Sequence, residues 1–393
     1  MRQDFQPSRL GSRHILTPEY PPQLGGVGDY ACQLASGLAG AGEDVHVWCP
    51  GVANAPVGSE AVEVHRELGA FSPSGLRAVG KKLDSLPAPR RILVQWVPHG
   101  FGYRSMNLPF CFWLWRRSKK GDRVEIMVHE AFLAFEGSWR QYAAAFVHRF
   151  MTVVLLHVVE RVWVSIPKCE QLWRPYALGR RIPFQWLPSS SNVPVAMDPE
   201  SITNLRRRYA PEDGVLIGHF GTFGKNITSL LDPLAFHILK ESANVNILMI
   251  GPGSNEFLNR FLQRHPQLQD RIYSTGPFAS NDPELSRLIS ACDVMIQPYP
   301  DGVTSRRGTL MAGLNHGKPI VTTRGPGTEP LWSDSEAVVM SDVSDLDGFV
   351  KLVRDLSSNA GKRTRMALAA RRLYEEHFDI AHAVAVLGMT ARI

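Results

Sequence analysis

The sequence predicts an α/β protein that contains two doubly wound, Rossmann-like domains, each built on a parallel sheet. The chain has 393 residues, which is enough for two domains of ordinary size. Short apolar runs of strand length alternate with amphipathic stretches of helix length, and this alternation is typical of parallel sheets. Residues 185–199 are rich in proline and serine, so they are predicted to link the two domains.

The composition narrows the class of protein. Apolar residues make up 44% of the chain and charged residues 20%, as in a folded globular protein. The formal net charge of +6 indicates a basic solvated surface, an anionic substrate or an anionic membrane surface. No recognisable nucleic-acid module is present, so nucleic acid is not an expected partner.

The five cysteines are odd in number and form no CxxC pair or metal-ligand spacing; they are Cys32, Cys49, Cys111, Cys169 and Cys292. They are interpreted as reduced cytosolic thiols. Residues 1–12 are polar and lack the apolar core of a signal peptide. The expected location is therefore the cytoplasm, with the inner face of the membrane as a second option.

Two segments have a composition that is compatible with membrane contact. Residues 143–166 are the best spanning candidate, but His148, Arg149 and Glu160 interrupt them, so a spanning helix is not expected. Residues 110–120 combine aromatic and basic side chains. They fit either a helix that touches a membrane surface or a packed helix that leads into the next strand.

The predicted elements follow the chain in order. In the first half, strands are predicted at residues 14–17, 45–48, 92–96, 125–128 and 161–166, the last of these ending the domain, with helices at 29–38 and 110–120. In the second half, strands are predicted at residues 215–220, 246–250, 271–274, 294–297 and 319–323, with helices at 282–292 and 306–316. Residues 345–393 read as a helical, amphipathic tail.

A glycine loop joins the first strand to the first helix. Gly25, Gly26 and Gly28 precede that helix, and such a loop lets backbone N–H groups approach a phosphate. The loop lacks the GxGxxG spacing, and Trp48-Cys49 replaces the acidic residue that would hold a ribose. A nicotinamide-dependent dehydrogenase is therefore disfavoured.

Residues 291–329 read as strand, loop, helix, strand and loop. Thr304 or Ser305 is predicted to cap the helix, and Gly317 to end it. The two loops lie at the carboxyl ends of adjacent parallel strands, where open α/β sheets bind ligands. Arg306 and Arg307 are predicted to begin the helix, whose N-terminus would suit an anion.

This stretch resembles the C-terminal signature of the retaining nucleotide-sugar glycosyltransferases of family four, which have the GT-B fold. The usual pattern is Pro-x-x-x-Glu-Gly-Phe-Gly, a helix with a second Glu, and Gly-x-Pro-Val-Val. The strand, the helix and the segment Gly317-Lys-Pro-Ile-Val match. The two glutamates would fall at Thr304 and Ala312, and Asp301-Gly302 imitates Glu-Gly three residues early. The sequence is more similar to a branch with Asp-Gly-Val-Ser/Thr-x-Arg-Arg-Gly in this loop.

The resemblance implies two Rossmann-like domains that face a central cleft: residues 1–190 on the acceptor side, 191–375 on the donor side, and a last helix in 376–393 that packs back on the first domain. It implies a nucleoside diphosphate-sugar as co-substrate and a carbohydrate or lipid-linked acceptor, without a further cofactor. In the loop after the first strand of the second half, the family has an arginine and a lysine that reach the donor diphosphate. Lys225 matches the lysine, and Thr222 replaces the arginine.

The site residues follow from the same resemblance. His129 is the catalytic candidate. The donor-binding candidates are Gly25, Gly26, Gly28, Thr222, Lys225, Gly276, Asp301, Arg306, Arg307, Gly308, Thr309 and Glu329. The implied reaction retains the anomeric configuration without a protein nucleophile, and the leaving phosphate assists the acceptor. The predicted donor loops contain no Asp-x-Asp pair, so a metal-independent reaction is expected.

Two other functions stay open from the residues. The missing glutamates and the missing arginine are compatible with a non-catalytic protein that binds a sugar nucleotide or a glycan on the same fold. A sugar-nucleotide epimerase of similar fold is the third option. Release of free nucleoside diphosphate in the presence of an acceptor would separate a transferase from both.

Overall fold

The structure is a computed structural model, and it describes residues 11–23, 25–52, 61–279 and 281–390. The chain divides into two compact units. Unit 1 comprises Met1–Pro188 and Ile380–Ile393, and unit 2 comprises Ser189–Asp379. Within the described residues, no helix combines the length and the apolarity needed to cross a bilayer.

Unit 1 is built on a seven-stranded sheet in which every neighbouring pair is parallel. Its strands are β1 (Ser12–Leu16), β2 (Val45–Trp48), β3 (Glu63–His65), β4 (Arg90–Trp96), β5 (Arg123–Val128), β6 (Arg161–Val164) and β7 (Phe184–Trp186). Their order across the sheet is β3-β2-β1-β4-β5-β6-β7. The direction of the crossovers reverses at β1, so the switch point of this sheet lies between β1 and β4.

Helices cover the sheet of unit 1. They are α1 (Gly26–Gly40), α2 (Pro73–Asp84), α3 (Leu108–Lys119), α4 (Trp139–Leu156) and α5 (Pro167–Trp173), with short 3-10 turns at Pro98–Phe101, Tyr103–Ser105 and Arg174–Ala177. One core lies between the sheet and α2 to α5, and it includes Trp96, Phe110 and Trp173. The central strand β4 is buried along its whole length, which explains the apolar run of residues 92–94 in its middle.

The prediction that residues 161–166 form the last strand of the first half is wrong. The strand β7 follows β6 and pairs with it in parallel, with Val162 opposite Phe184. This strand has only three residues, all of them half-buried, so it lacks the apolar run by which buried strands are found in a sequence. Its last two residues, Gln185 and Trp186, overlap the predicted linker.

Unit 2 has a six-stranded parallel sheet. Its strands are β8 (Val215–Phe220), β9 (Val245–Ile250), β10 (Ile272–Ser274), β11 (Val294–Gln297), β12 (Ile320–Arg324) and β13 (Val338–Asp342), in the order β10-β9-β8-β11-β12-β13. Its helices are α6 (Pro199–Tyr209), α7 (Lys225–Glu241), α8 (Ser254–Arg264), α9 (Pro283–Ala291), α10 (Gly308–Asn315), α11 (Pro330–Asp334), α12 (Leu346–Ser358) and α13 (Ala360–His377), with a 3-10 turn at Pro266–Leu268. The switch point lies between β8 and β11.

The last helix, α14 (Ile380–Thr390), belongs to unit 1. Ala383 and Leu387 are buried in the same core cluster as Leu34 of α1. Arg13 of β1 donates from Nη2 to the Leu387 carbonyl at 3.1 Å. The final segment of the chain therefore completes one face of the first sheet, through apolar packing and a buried hydrogen bond.

Candidate functional site

In unit 2, the loops that follow β8 and β11 meet at the switch point. The side chain of Gln297 at the end of β11 donates to the Phe220 carbonyl at the end of β8, at 3.0 Å. A Cβ atom placed on Gly221 would lie 3.5 Å from the Thr309 Cγ2 atom in the first turn of α10. The N-terminus of α10 therefore adjoins the loop after β8, at the place where parallel sheets bind ligands.

The loop after β8 packs against the loop after β9. Gly221 donates to the Ile250 carbonyl at 3.0 Å, and a Cβ atom on Gly251 would lie 2.3 Å from the Gly221 oxygen. Gly251 in turn donates to the carbonyl of Gly276, after β10, at 3.1 Å. Gly276 is buried, so it supports this edge of the sheet through its backbone.

Two exposed residues follow these glycines. Thr222 is exposed, and Lys225 is the exposed first residue of α7. Gly224, before it, is the N-cap and supplies no side-chain hydrogen bond. Because the first N–H groups of a helix have no partner within the helix, the start of α7 offers donors and a lysine charge together.

The loop after β11 is tied to the loop after β12. Gly327 donates to the Asp301 carbonyl at 2.8 Å, and Val303 donates to the Thr323 carbonyl at 3.0 Å. Gly302 has a φ of +86°, and a Cβ atom there would lie 2.3 Å from Thr328 Oγ1. A side chain at position 302 would therefore be excluded both by the backbone conformation and by the neighbouring loop.

The predicted cap of this helix is wrong. Helix α10 begins at Gly308, its N-cap is Arg307, and no side chain caps it. The Ser305 hydroxyl donates instead to Glu329 Oε1 at 2.5 Å. Arg306 and Arg307 therefore precede the helix rather than begin it, because the competing carboxylate takes the hydroxyl that would otherwise have capped it.

Both arginines lie near Asp301. Arg307 donates from Nη2 to Asp301 Oδ1, and its guanidinium lies 4.6 Å from the centre of the Tyr299 ring. Arg306 Nη2 is 3.6 Å from Asp301 Oδ2. Asp301 thus faces both arginines, and the buried carboxyl group of Glu329 lies in the same loops, so two guanidinium groups stand beside two carboxyl groups at the start of α10. Gly308 there is half-exposed, and a Cβ atom on it would meet no heavy atom within 4 Å.

Glu329 organises the loop rather than extending into solvent. Its Oε2 accepts from the Ser305 amide at 2.7 Å and from Trp332 Nε1 at 2.7 Å, in addition to the bond from the Ser305 hydroxyl. Burial raises the pKa of Glu329, and the hydrogen bonds from Ser305 and Trp332 oppose that shift. This buried carboxylate holds the backbone ahead of the two arginines in one conformation.

Polar side chains contact one another at the first turn of α10. The Tyr299 hydroxyl is 2.9 Å from Thr309 Oγ1 and 3.4 Å from Gln297 Oε1, and burial raises the pKa of Tyr299 to about 12. His219 in β8 donates from Nδ1 to the Ile296 carbonyl at 2.9 Å. Its Nε2 is buried without a hydrogen-bond partner among the described residues, and burial lowers the pKa of His219 to about 4.

The positions assigned to the family's two glutamates are both buried. Thr304 is 2% exposed and Ala312 is fully buried. A glutamate at position 312 would put a carboxylate into the apolar contacts of α10, at a large desolvation cost. Among the described residues of this loop, Asp301 and Glu329 are the acidic side chains that remain near the helix start.

Unit 1 places its glycine loop at the switch point of its own sheet. Glu19 Oε1 accepts from the Val27 and Gly28 amides at 2.9 and 3.0 Å. A Cβ atom on Gly25 would lie 2.2 Å from Glu19 Oε1. The sequence assigned these amides to a phosphate, but in this structure they bind a carboxylate of the chain itself. Of Gly25, Gly26 and Gly28, Gly26 is the one at which an added Cβ atom would meet no heavy atom within 4 Å.

His129 follows β5 at the same edge of the sheet. Its Nε2 donates to Gln95 Oε1 at 2.8 Å, since a carbonyl oxygen only accepts, and the tautomer leaves Nδ1 as an acceptor. The Tyr30 ring packs edge-on at 5.3 Å, and burial lowers the pKa of His129 to about 4. A neutral, oriented imidazole at a strand end can accept or position a proton without carrying charge.

Part of unit 2 is similar to a known protein family. Residues 214–359, which lie within unit 2, are similar to the family described as "Glycosyl transferases group 1". The two parallel α/β units have the GT-B fold, which confirms the fold class predicted from the sequence. No curated protein sequence is a detectable relative of the chain.

Three solved structures illustrate the likeness. Sucrose-phosphate synthase from Thermosynechococcus elongatus superposes with a TM-score of 0.74 at 14% identity, over 97% of this chain and 98% of that one. HepE from Anabaena, in complex with UDP-glucose, gives a TM-score of 0.66 at 14% identity, over 96% and 99%. WaaG, a glycosyltransferase involved in lipopolysaccharide biosynthesis, gives 0.63 at 14% identity, over 95% and 98%. At these identities the likeness concerns the fold.

Proposed function

We propose that the chain is a retaining, metal-independent glycosyltransferase of the branch with Asp-Gly-Val-Ser/Thr-x-Arg-Arg-Gly in the donor loop. It transfers a sugar from a nucleoside diphosphate-sugar to a carbohydrate or lipid-linked acceptor. The observation that carries the proposal is the convergence, at the switch point of unit 2, of two helix starts with Lys225, Arg306 and Arg307.

The leaving group accounts for the need for this charge. Transfer leaves a nucleoside diphosphate whose negative charge grows in the transition state, so fixed cations and helix dipoles lower the barrier. The start of α10 adjoins the loop after β8, Arg306 precedes α10 and lies 3.6 Å from Asp301, and Lys225 begins the helix that follows the loop after β8. Asp301 provides carboxylate oxygens that suit sugar hydroxyl groups, and Glu329, whose oxygens accept from Ser305 and Trp332, holds the loop in place.

The donor is proposed to be a uridine diphosphate-sugar. HepE, which shares the fold, is known in complexes with UDP and with UDP-glucose. The test is isothermal titration of the full chain with UDP, GDP, TDP and the corresponding nucleosides, followed by release of the diphosphate from each sugar donor in the presence of acceptors. Binding without turnover of any donor would favour the non-catalytic sugar-nucleotide protein instead.

His129 is proposed to take part in turnover, and anomeric retention is proposed from the family resemblance. Proton NMR of the first product formed shows whether the anomeric configuration is retained, because the anomeric coupling of the product is compared directly with that of the donor. Inversion would remove the retaining mechanism while leaving sugar transfer intact. Full turnover in excess EDTA, at a temperature where the protein stays folded, is expected of a metal-independent reaction.

The acceptor side is proposed to contact an anionic membrane surface through α4. Residues 110–120 have a core face, where Phe110 and Trp113 are buried and Arg117 binds Asp122, and an outer face, where Phe112 and Trp115 are 45% and 44% exposed. Helix α4 exposes a larger aromatic stripe at helical spacing, formed by Trp139, Tyr142, Phe146 and Phe150, of which Trp139 is 75% exposed and Phe146 68%.

The charge of helix α4 also supports contact with an anionic membrane surface. Helix α4 contains Arg140 and Arg149 and no acidic residue, and Arg149 lies 3.7 Å from the centre of the exposed Phe135 ring. Aromatic and basic side chains on one exposed face are typical of helices that lie in the membrane interface. Co-sedimentation with vesicles is the test. Anionic vesicles should retain the protein, and Trp139→Ala with Phe146→Ala should release it, whereas equal binding by parent and double variant removes the surface.

A further inference from the structure

A cluster of imidazole and carboxylate groups lies at the edge of the unit 1 sheet, on strands β2 and β3. His46 of β2 stands opposite Glu63 of β3 in the parallel register, and His65 lies two residues further along β3 on the same face. His46 and His65 are buried, whereas Glu63 is exposed. None of these residues belongs to the candidate glycosyl transfer site.

Four possible ligand atoms lie close together, namely one nitrogen from each imidazole and both oxygens of Glu63. His46 Nδ1 is 3.1 Å from His65 Nε2, Glu63 Oε2 is 3.4 Å from His46 Nδ1, and Glu63 Oε1 is 3.5 Å from His65 Nε2. Ligands held at about 2.0–2.1 Å by a tetrahedral zinc ion are about 3.3–3.4 Å apart. Neighbouring ligands of an octahedral ion at the same bond length are closer, at about 2.9 Å.

The remaining nitrogen of each imidazole faces a carboxylate. His46 Nε2 is 3.5 Å from Asp44 Oδ1, and His65 Nδ1 is 4.0 Å from Glu67 Oε2. Metal-binding histidines usually donate their second N–H to a carboxylate, which fixes the tautomer and raises the basicity of the ligand nitrogen. A metal requires the tautomers in which His46 Nδ1 and His65 Nε2 carry lone pairs, and these carboxylates favour them.

Neighbouring rings hold both imidazoles in place. His14 stacks on His46 with ring centres 4.8 Å apart, and Trp48 stacks on His65 at 3.9 Å. His14 is not a ligand, because Trp48 Nε1 donates to its Nδ1 at 3.2 Å and Ser12 Oγ lies 2.9 Å from its Nε2.

The local charge suits a divalent cation. Three carboxylates surround the cluster, from Asp44, Glu63 and Glu67, and the ammonium group of Lys82 is paired with Glu67 at 2.7 Å. Magnesium and calcium prefer oxygen ligands, whereas imidazole suits zinc and related transition ions.

From these observations we propose that His46, Glu63 and His65 bind one tetrahedral transition-metal ion of the zinc class, with water as the fourth ligand, and that the ion fastens the edge strand β3 to β2. The site is separate from the proposed sugar transfer, and its tests do not depend on activity. Without a metal, the same atoms would be joined only by a hydrogen bond between the two imidazoles.

The experiment uses the untagged full chain, stripped of metal and titrated with Co²⁺ and then Zn²⁺. One equivalent of Co²⁺ should produce the visible absorption of a tetrahedral cobalt site with nitrogen and oxygen ligands, and Zn²⁺ should abolish it by displacement. Zinc should also raise the melting temperature, because it binds the folded state. Absence of a stoichiometric cobalt spectrum would overturn the proposal.

Two variants and a control locate the site. Glu63→Gln changes an exposed side chain and should weaken Zn²⁺ binding by at least about tenfold, as expected when a ligand or its support is lost. His65→Gln should abolish the cobalt spectrum, and if it fails to fold, Glu63→Gln alone decides. His237→Gln, at a half-exposed histidine beside Glu241 in unit 2, should bind like the parent. Unchanged affinity in Glu63→Gln would refute the assignment.

Discussion

Removing the Arg306 guanidinium should weaken the binding of a nucleoside diphosphate without affecting the nucleoside. Arg306 is the better test of the two arginines, because Arg307 is bound to Asp301 and stacked on Tyr299. Arg306 lies 3.6 Å from the same carboxylate, and its side chain is 34% exposed. A phosphate can thus contact Arg306 without breaking the closer ion pair.

The size of the effect follows from the exposure of the group. A charge-assisted hydrogen bond contributes about 1.5–3 kcal/mol, or roughly ten- to a hundredfold in affinity. Because Arg306 is about one-third exposed, solvent screening places Arg306→Ala at the lower end, near tenfold. Lys225→Ala, at an exposed position, should have a similar effect. Asp301→Asn should act in the opposite direction, since it releases both arginines from a competing anion.

Isothermal titration with UDP and with uridine, at low and at raised salt, measures these changes. The uridine affinity should stay the same in every variant, and the loss for UDP should shrink as salt screens the charges. The control is Arg354→Ala, in which an arginine bound to Glu241 at the far end of α7 is removed. If Arg306→Ala and Arg307→Ala both fold and bind UDP like the parent, the charge clamp is wrong and the non-catalytic alternative gains.

Three further predictions concern turnover and stability. His129→Ala should lower turnover by roughly ten- to a thousandfold, as for loss of a positioning or proton-handling group, and unchanged steady-state kinetics would exclude His129 from the site. Gly302→Ala should lower the free energy of unfolding by at least about 1–3 kcal/mol, since it forces a side chain into a left-handed conformation. Gly308→Ala, where a Cβ meets open space, should be neutral in the same urea titration. The pKa of His219 is about 4 in the folded protein and near 6.5 in the unfolded chain, so the unfolded state binds the extra proton and stability falls as pH drops from about 6.5 to 4. His219→Gln should reduce that fall by up to about 1.4 kcal/mol per pH unit, and parallel pH profiles for parent and variant would contradict the assignment.

The sequence alone determined the class of fold and much of the second unit. The strand Val294–Gln297 has the predicted bounds, because a strand buried on both faces must be apolar without interruption, and that run is visible in a single sequence. Gly317, with a φ of +58°, ends its helix as predicted, since few other residues adopt that conformation cheaply.

The formation of two short edge strands depends on tertiary contacts. The strands β3 and β7 have three residues each, too few for a periodic pattern, and they form because a neighbouring strand offers its hydrogen-bonding edge. The start of α10 was decided in the same way. The Ser305 hydroxyl is a good cap by local preference, but a buried carboxylate 24 residues later, Glu329, takes it.

Other features depend on residues that are distant along the chain. No metal-ligand spacing is visible along the sequence, because His46 meets Glu63 and His65 only when β2 and β3 pair in parallel register. Of the three glycines predicted to precede the first helix, Gly26 and Gly28 lie in its first turn, and Glu19 accepts from the amides assigned to a phosphate. Local sequence patterns indicate where strands, loops and charged residues occur along the chain. Tertiary packing decides which partner each hydrogen-bond donor binds.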